Sequence, residues 1–187
     1  QIGAETVVCK NRYKYLDRCQ NDEVCICEMS QADSAQVEKI IEIAETDPAG
    51  WRKTTLEERH RIMYEAANRL ADMRGDLIGC MCAVTGKTVI EGDVEVSEAA
   101  DYARFYTTAM KKFAALDDIE IKPKGTILVI SPWNFPCAIP VGGIVAGLAG
   151  GNTVILKPAT VAAPVAWMFA KAFWDAGVPK EALQVII

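Results

Sequence analysis

The chain has 187 residues, of which 51% are hydrophobic and 24% are charged. This ordinary globular composition excludes a disordered or low-complexity protein, and the length suits one domain or parts of two. Twenty Lys and Arg against 25 Asp and Glu give a net charge of -5, so no cationic surface for nucleic acid is predicted.

Residues 1–30 show no clear periodicity and are left unassigned. Only residues 24–27, which read Val-Cys-Ile-Cys, are typical of a short strand. The charged residues around them indicate no function.

Residues 31–121 predict a helical N-terminal region. Apolar side chains recur at helical spacing near residues 37–44, 56–73, 76–84 and 91–115. Thr55 and Glu58 are spaced as the capping box that begins the second helix, and Gly86 is placed to end the third. The apolar stripe of the fourth helix includes Val94. We interpret these stripes as core packing.

Residues 122–187 alternate between strand and helix patterns. Buried strands are predicted at 126–130, 153–156 and 183–187, with helices at 138–149 and 162–176 between them. This order predicts an α/β fold with a parallel sheet. Ligands of such sheets bind at the carboxyl ends of the strands, where residues 131–136 and 157–160 lie.

The chain begins at Gln1 rather than Met and stops at Ile187, inside the last predicted strand. A terminal core strand needs neighbouring strands to pair with. We therefore expect the chain to be a fragment of a larger protein.

The seven cysteines are an odd number and no signal peptide opens the chain, so reduced thiols in the cytoplasm are predicted. The Cys-x-Cys pairs at Cys25 and Cys80 are spaced more tightly than zinc ligands, and His60 lies in a helical pattern. No metal site is expected. The longest apolar run, residues 137–149, is too short and interrupted to be a transmembrane segment.

Two partial nucleotide motifs fail on their spacing. Gly86-Lys87-Thr88 resembles the end of a phosphate-binding loop, but Met81 stands where that loop needs a glycine, and the preceding segment is helical. The glycines that follow do not form the dinucleotide-binding pattern, and we interpret them as close packing of a helix on the sheet. They are residues 142, 143, 147, 150 and 151.

Residues 132–136 read Pro-Trp-Asn-Phe-Pro, and each polar candidate near a strand end has two interpretations. Asn134 in this rigid turn is suited to donate to an oxyanion, or it holds the turn through its own backbone. Lys157 is suited to donate to nucleotide hydroxyls or phosphate, or it is a solvated surface lysine.

Residues 130–136 and 151–159 together resemble two signatures of the aldehyde dehydrogenase superfamily, in the right order and at the right separation. Trp51 with residues 57–59 also resembles that family's N-terminal region, so the resemblance covers the chain from about residue 30. Residues 91–106 resemble the 1-pyrroline-5-carboxylate dehydrogenases, which occur alone or as the C-terminal half of bifunctional proline utilization A proteins.

The resemblance implies that residues 122–187 form the first part of a Rossmann-like NAD(P)-binding unit, incomplete at its C-terminus. It implies oxidation of L-glutamate γ-semialdehyde to glutamate by a cysteine thiolate, NAD(P)+ and a glutamate base. Asn134 would stabilise the oxyanion, and Phe135 and Glu98 would contact the substrate, although Glu98 also fits a solvated helix carboxylate. The cofactor would be held by Ile130, Ser131, Pro132, Trp133, Lys157, Ala159 and Thr160.

The chain departs from the family pattern in two ways. Thr160 stands where many NAD-selective relatives have a glutamate, so NAD is expected and NADP stays open. The catalytic cysteine, the base and the family's glycine motif would lie beyond Ile187, so this chain alone should not turn over. Cys137 follows the Asn134 motif, but its counterpart in relatives is not the nucleophile.

The resemblance also implies a homo-oligomer and, in the parent protein, a covalently linked proline dehydrogenase domain. Two alternatives stay open. One is another aldehyde dehydrogenase, such as a succinate-semialdehyde or acylating enzyme, which would act on a different aldehyde or use coenzyme A. The other is a non-catalytic nucleotide-binding or oligomerisation module, which would bind nucleotide without turnover.

Overall fold

The computed structural model describes residues 1–21 and 23–187. Its strands are Arg12–Leu16 (β1), Cys25–Ser30 (β2), Thr126–Ile130 (β3), Thr153–Lys157 (β4) and Leu183–Val185 (β5). Its α-helices are Ser34–Thr46 (α1), Leu56–Asp72 (α2), Arg74–Thr85 (α3), Val89–Ala114 (α4), Ala138–Ala149 (α5) and Ala163–Asp175 (α6). In these two ranges, no helix is both long and apolar enough to cross a membrane.

The parallel sheet predicted for the second half of the chain is confirmed. Strands β3, β4 and β5 lie side by side in that order, and α5 and α6 connect them. The register pairs Ile130 with Lys157, so the ends of β3 and β4 are level. This register brings the two candidate segments to the same edge of the sheet.

The prediction of a buried strand is wrong for one face of β3. Leu128 is 56% exposed and Ile130 is 71% exposed, whereas β4 is buried except at Lys157. Ile127 and Val129 of β3 face α5, whereas Leu128 and Ile130 lie on the opposite face of the strand, which α5 does not cover. A continuous apolar run indicates a strand but does not show how many of its faces are covered.

Helix α5 packs on the sheet through glycine. A Cβ atom at Gly147 would lie 2.8 Å from Val154 Cγ2, and one at Gly143 would lie 3.0 Å from Val129 Cγ1. Gly142 faces α4 instead, where a Cβ atom would lie 3.1 Å from Tyr102 Cδ2. The helix therefore approaches both the sheet and α4 more closely than larger residues permit, and the sequence predicted only the approach to the sheet.

The C-terminal end of α5 is held by side chains from the helical region. Trp51 Nε1 donates to the Leu148 carbonyl at 3.2 Å, and Arg59 Nε donates to the Ala149 carbonyl at 3.1 Å. These bonds satisfy carbonyls that have no partner within the helix. Arg59 is buried, and this burial lowers the pKa of its guanidinium.

Helix ends in the N-terminal region mostly follow the predicted signals. Thr55 Oγ1 accepts from the Glu58 amide at 3.1 Å at the start of α2, and Gly86 ends α3 with a φ of 70°. Val94 is an exception, because it is exposed on α4 while Val96 and Ala99 are buried. Val94 therefore does not belong to the buried face of α4, to which the sequence analysis assigned it.

The unassigned first 30 residues contain an antiparallel hairpin of β1 and β2. Only Tyr15 of β1 is buried, where it joins the main core with half-buried Cys27. The prediction of a short strand near residues 24–27 is confirmed, since β2 begins at Cys25.

Candidate functional site

The two segments that follow β3 and β4 meet at the carboxyl edge of the sheet. The Ser131 amide donates to the Lys157 carbonyl at 3.3 Å, which continues the strand pairing by one step. Ser131 is buried, whereas Ile130 and Lys157 are exposed. The edge therefore presents one apolar and one cationic side chain next to each other.

The turn after β3 exposes Asn134 together with its aromatic neighbours. Trp133 is 59% exposed and Phe135 is 43% exposed, while Pro136 is buried. In the part of the chain that the structure describes, the Asn134 side-chain amide makes no hydrogen bond. Its own backbone turn is thus not held by this amide, which leaves both amide hydrogens available to a ligand.

A buried ion pair between Lys87 and Glu95 contacts this turn. Lys87 Nζ lies 2.7 Å from Glu95 Oε2, with the two side chains 11% and 1% exposed. Lys87 Nζ also donates to the Asn134 carbonyl at 2.6 Å and lies 4.3 Å from the centre of the Phe135 ring. The main chain and the aromatic neighbour of Asn134 are therefore tied to α4.

The same glutamate caps helix α5. Glu95 Oε1 accepts from the amides of Cys137 and Ala138 at 2.7 Å and 3.1 Å. Cys137, at the N-cap position, makes no side-chain cap of its own. A carboxylate from α4 thus satisfies the first amides of α5 and lies at the positive end of its dipole.

The segment after β4 is more open. Lys157 ends the strand with an exposed side chain, and half-buried Ala159 and Thr160 lead into the short turn before α6. Among the described residues, no salt bridge engages the Lys157 ammonium. This arrangement fits a cation that donates to a ligand lying across the sheet edge.

Glu98 is placed on α4, one turn beyond Glu95, with its carboxylate exposed. The Tyr102 hydroxyl donates to Glu98 Oε1 at 2.8 Å, and this bond raises the pKa of that hydroxyl. Within residues 1–21 and 23–187, no hydrogen bond joins Glu98 to Asn134. Glu98 is thus bonded to Tyr102, whose ring packs at Gly142 of α5, and it shares α4 with Glu95.

Cys137 is a poor nucleophile in this environment. Its thiol is fully buried, and burial, with a smaller contribution from Glu95, raises its pKa. A thiol with a raised pKa carries little of the reactive thiolate at neutral pH. In the described ranges, no three His, Cys, Asp or Glu side chains form a group that could hold a metal ion.

Sequence reasoning missed Lys87 and Glu95 as site residues. Lys87 was considered only as part of an unsuccessful phosphate-loop match, and Glu95 resembled the other carboxylates of α4. The available signal was the spacing of Thr88 and Glu91, which form a capping box in the structure. That box fixes the start of α4 and hence where Lys87 points.

A parallel α/β sheet with an exposed amide and an exposed cation at its carboxyl edge has the architecture of proteins that bind ligands at this edge. The family comparison agrees, since the model described as "Aldehyde dehydrogenase family" matches residues 9–187. The chain belongs to the aldehyde dehydrogenase family. The sequence-based family assignment and the fold class are thereby confirmed.

Individual relatives show which members of the family this chain resembles. The chain is 33% identical over 195 residues to a 1-pyrroline-5-carboxylate dehydrogenase of Geobacillus sp. (strain WCH70), covering 99% of this chain and 38% of the relative. The chain thus spans less than half the length of this relative. This coverage agrees with the expectation of a partial chain.

Two solved structures are similar to this chain over all or nearly all of its length. A 1-pyrroline-5-carboxylate dehydrogenase from Thermus with bound NAD superposes with a TM-score of 0.90 at 29% identity, covering 100% of this chain and 38% of that one. Proline utilization A from Bdellovibrio bacteriovorus, inactivated by N-propargylglycine, superposes with a TM-score of 0.92 at 26% identity, covering 99% and 20%.

Proposed function

We propose that the complete protein oxidises L-glutamate γ-semialdehyde to glutamate in proline catabolism, with NAD as the hydride acceptor. One observation carries the proposal: the Asn134 amide is exposed and unbonded on a turn that a buried ion pair holds in place. We infer the substrate from the relatives, which are named 1-pyrroline-5-carboxylate dehydrogenases.

Asn134 is assigned the role of oxyanion donor. When a cysteine thiolate attacks the aldehyde carbon, the carbonyl oxygen becomes negative and accepts a hydrogen bond from the Asn134 side chain. A donor that is already aimed needs no reorganisation as this charge develops. We assign the nucleophilic cysteine and the glutamate base to the part of the relatives that this chain does not span.

The edge of the sheet fits an NAD-type cofactor. Exposed Ile130 and the exposed ammonium of Lys157 lie next to each other, which suits a ligand with a flat ring and ribose hydroxyls. We assign Lys157 to the adenosine ribose and residues 130–133 to the nicotinamide side, with Ala159 and Thr160 beside the ribose. Bound NAD supplies a hydride acceptor. Thr160 carries no charge to repel a 2′-phosphate, so use of NADP stays open.

Two residues are assigned to the substrate. The exposed ring of Phe135 would pack on the aliphatic part of the semialdehyde. The exposed carboxylate of Glu98 would meet its ammonium group at the entrance, with Tyr102 holding the carboxylate by the 2.8 Å hydrogen bond.

The parent protein is further proposed to be a cytoplasmic homo-oligomer. The seven cysteines are free thiols, which suits a reducing compartment. A covalently linked proline dehydrogenase domain is proposed from the similarity to proline utilization A. We assign residues 1–30, 31–121 and 122–187 to an N-terminal segment, the helical region and the start of the cofactor-binding domain.

The direct test is NADH formation by the complete protein with L-glutamate γ-semialdehyde. We expect turnover with this aldehyde and a much lower kcat/KM with succinate semialdehyde, without any need for coenzyme A. Preference for another aldehyde, or dependence on coenzyme A, would assign the protein to a different branch of the family. NAD binding with no turnover on any aldehyde would leave a binding module.

A further inference from the structure

The Gly86-Lys87-Thr88 motif has a structural role at the site although it is not a phosphate loop. Gly86 ends α3 in the left-handed conformation, and Thr88 Oγ1 accepts from the Glu91 amide at 3.3 Å to begin α4. Lys87 stands between these two fixed points. Its backbone therefore has little freedom, and its side chain is directed toward the turn after β3.

The ion pair, the side-chain hydrogen bond and the cation–π contact of Lys87 all involve that turn and its support. The ammonium group reaches Glu95 Oε2 at 2.7 Å, the Asn134 carbonyl at 2.6 Å and the face of the Phe135 ring at 4.3 Å. The ammonium donates a hydrogen bond to the Asn134 carbonyl, whereas its contact with Glu95 Oε2 is an ion pair without hydrogen-bond geometry. A shorter or uncharged side chain cannot reproduce this set.

Glu95 divides its two oxygens between helix α5 and Lys87. One oxygen accepts from the Cys137 and Ala138 amides, and the other meets the ammonium. Cys137 is thus bonded to Glu95 directly, and Asn134 is linked to the same carboxylate through Lys87. The backbone of Asn134 is fixed from its carbonyl, and the chain after it is fixed from its amides.

We propose that Lys87 and Glu95 are positioning residues that aim the Asn134 side chain at the developing oxyanion. This inference rests on the proposed function. The Asn134 amide forms no bond of its own in the described residues, so the ion pair acts on it through the backbone, by fixing where the side chain starts and the direction of its Cα–Cβ bond. Burying two charges seldom adds net stability over apolar packing, which points to a geometric role for the pair.

The test compares variants of the complete protein. Lys87→Met leaves a buried carboxylate and can destabilise the fold, so the double variant K87M/E95Q, which removes both charges, is measured beside it. Arg74→Met is the matched control, because Arg74 pairs with Asp93 on α4 at 2.6 Å without touching the turn. We expect the Lys87 variants to lose roughly 100-fold in kcat with an unchanged KM for NAD, and Arg74→Met to keep its kcat.

A positioning role also predicts non-additivity. If the pair acts through Asn134, adding K87M/E95Q to Asn134→Ala should change kcat little further, because the donor that it aims is already gone. An equal fold-loss in both backgrounds would overturn the proposal and indicate a general effect on folding. An unchanged kcat in the K87M/E95Q variant would overturn it as well.

Amide hydrogen exchange gives a reading that does not depend on activity. Exchange across residues 134–138 should be faster in K87M/E95Q than in the wild type and unchanged in Arg74→Met. If the wild type fails to oxidise the semialdehyde while exchange responds in this way, the proposed function fails but the ion pair still holds the turn. If exchange does not respond, the positioning proposal fails whatever the activity.

Discussion

The two segments at the carboxyl edge of the sheet differ in how they are supported. Residues 131–136, after β3, are held by the buried pair of Lys87 and Glu95 and by the capped start of α5. Residues 157–160, after β4, present an exposed lysine that no salt bridge in the described chain engages. One segment is fixed before any ligand arrives, and the other offers a long side chain to solvent.

This difference matches the two tasks that we assign to the segments. A donor to a developing oxyanion must be in place beforehand, because reorganisation during the reaction raises the barrier. A cation that meets ribose hydroxyls has no such requirement, since a flexible lysine can settle on the cofactor as it binds. The comparison therefore predicts effects on kcat at the first segment and effects on cofactor affinity at the second.

The largest effect on kcat is expected from removing the side-chain amide of Asn134, in the segment after β3. Asn134→Ala in the complete protein is expected to lower kcat roughly 10²–10³-fold, about 2.7–4 kcal/mol of barrier, because the oxyanion loses a fixed donor. Steady-state and single-turnover kinetics with the aldehyde measure the change. An unchanged kcat, with chemistry shown to be rate-limiting, would remove Asn134 from this role.

Helix α5 packs on both β3 and β4, so disturbing it should weaken the sheet from which both segments extend. Gly147→Ala places a Cβ atom 2.8 Å from Val154 Cγ2, and we expect a loss of about 1–3 kcal/mol in unfolding free energy. Urea denaturation of the protein measures the loss.

The matched control is Gly79→Ala in α3, where a Cβ atom would meet nothing within 4 Å. Removing a glycine from a helix interior should stabilise the protein by about 0.5–1 kcal/mol. Equal effects at the two glycines would contradict the close packing of α5 on the sheet.

The smallest effect is expected from a new charge at the open segment. Thr160→Glu should raise the KM for NADP about fivefold relative to that for NAD, because a carboxylate near the 2′-phosphate repels it by about 1 kcal/mol in water. The ratio of kcat/KM values for the two cofactors measures this. A shift toward NADP would show that residue 160 lies away from the ribose.

The sheet and its helices could be predicted because their signals are local. The runs that form β3 and β4 are apolar and β-branched, and the capping residues Thr55 and Gly86 stand beside the helices that they bound. Strand β1 reads Arg-Tyr-Lys-Tyr-Leu, and its alternation of tyrosines with cations is too short to stand out from the charged residues around it.

The support of the turn could not be predicted from local patterns. Lys87 and Asn134 are 47 positions apart, and Glu95 is 42 positions from Cys137. Glu95 and Glu98 lie three positions apart on α4 and each has an apolar neighbour, so no local pattern shows that only Glu95 is buried. Only the packing of α4 against α5 separates them, and that packing depends on the close approach at Gly142.

The most direct test of this division of roles is an NAD titration of the complete protein carrying Asn134→Ala or Lys157→Met, without aldehyde. We predict that Asn134→Ala binds NAD as tightly as the wild type, whereas Lys157→Met binds it roughly tenfold more weakly through loss of charged hydrogen bonds to the ribose. Equal weakening by both variants, or wild-type affinity in Lys157→Met, would contradict it.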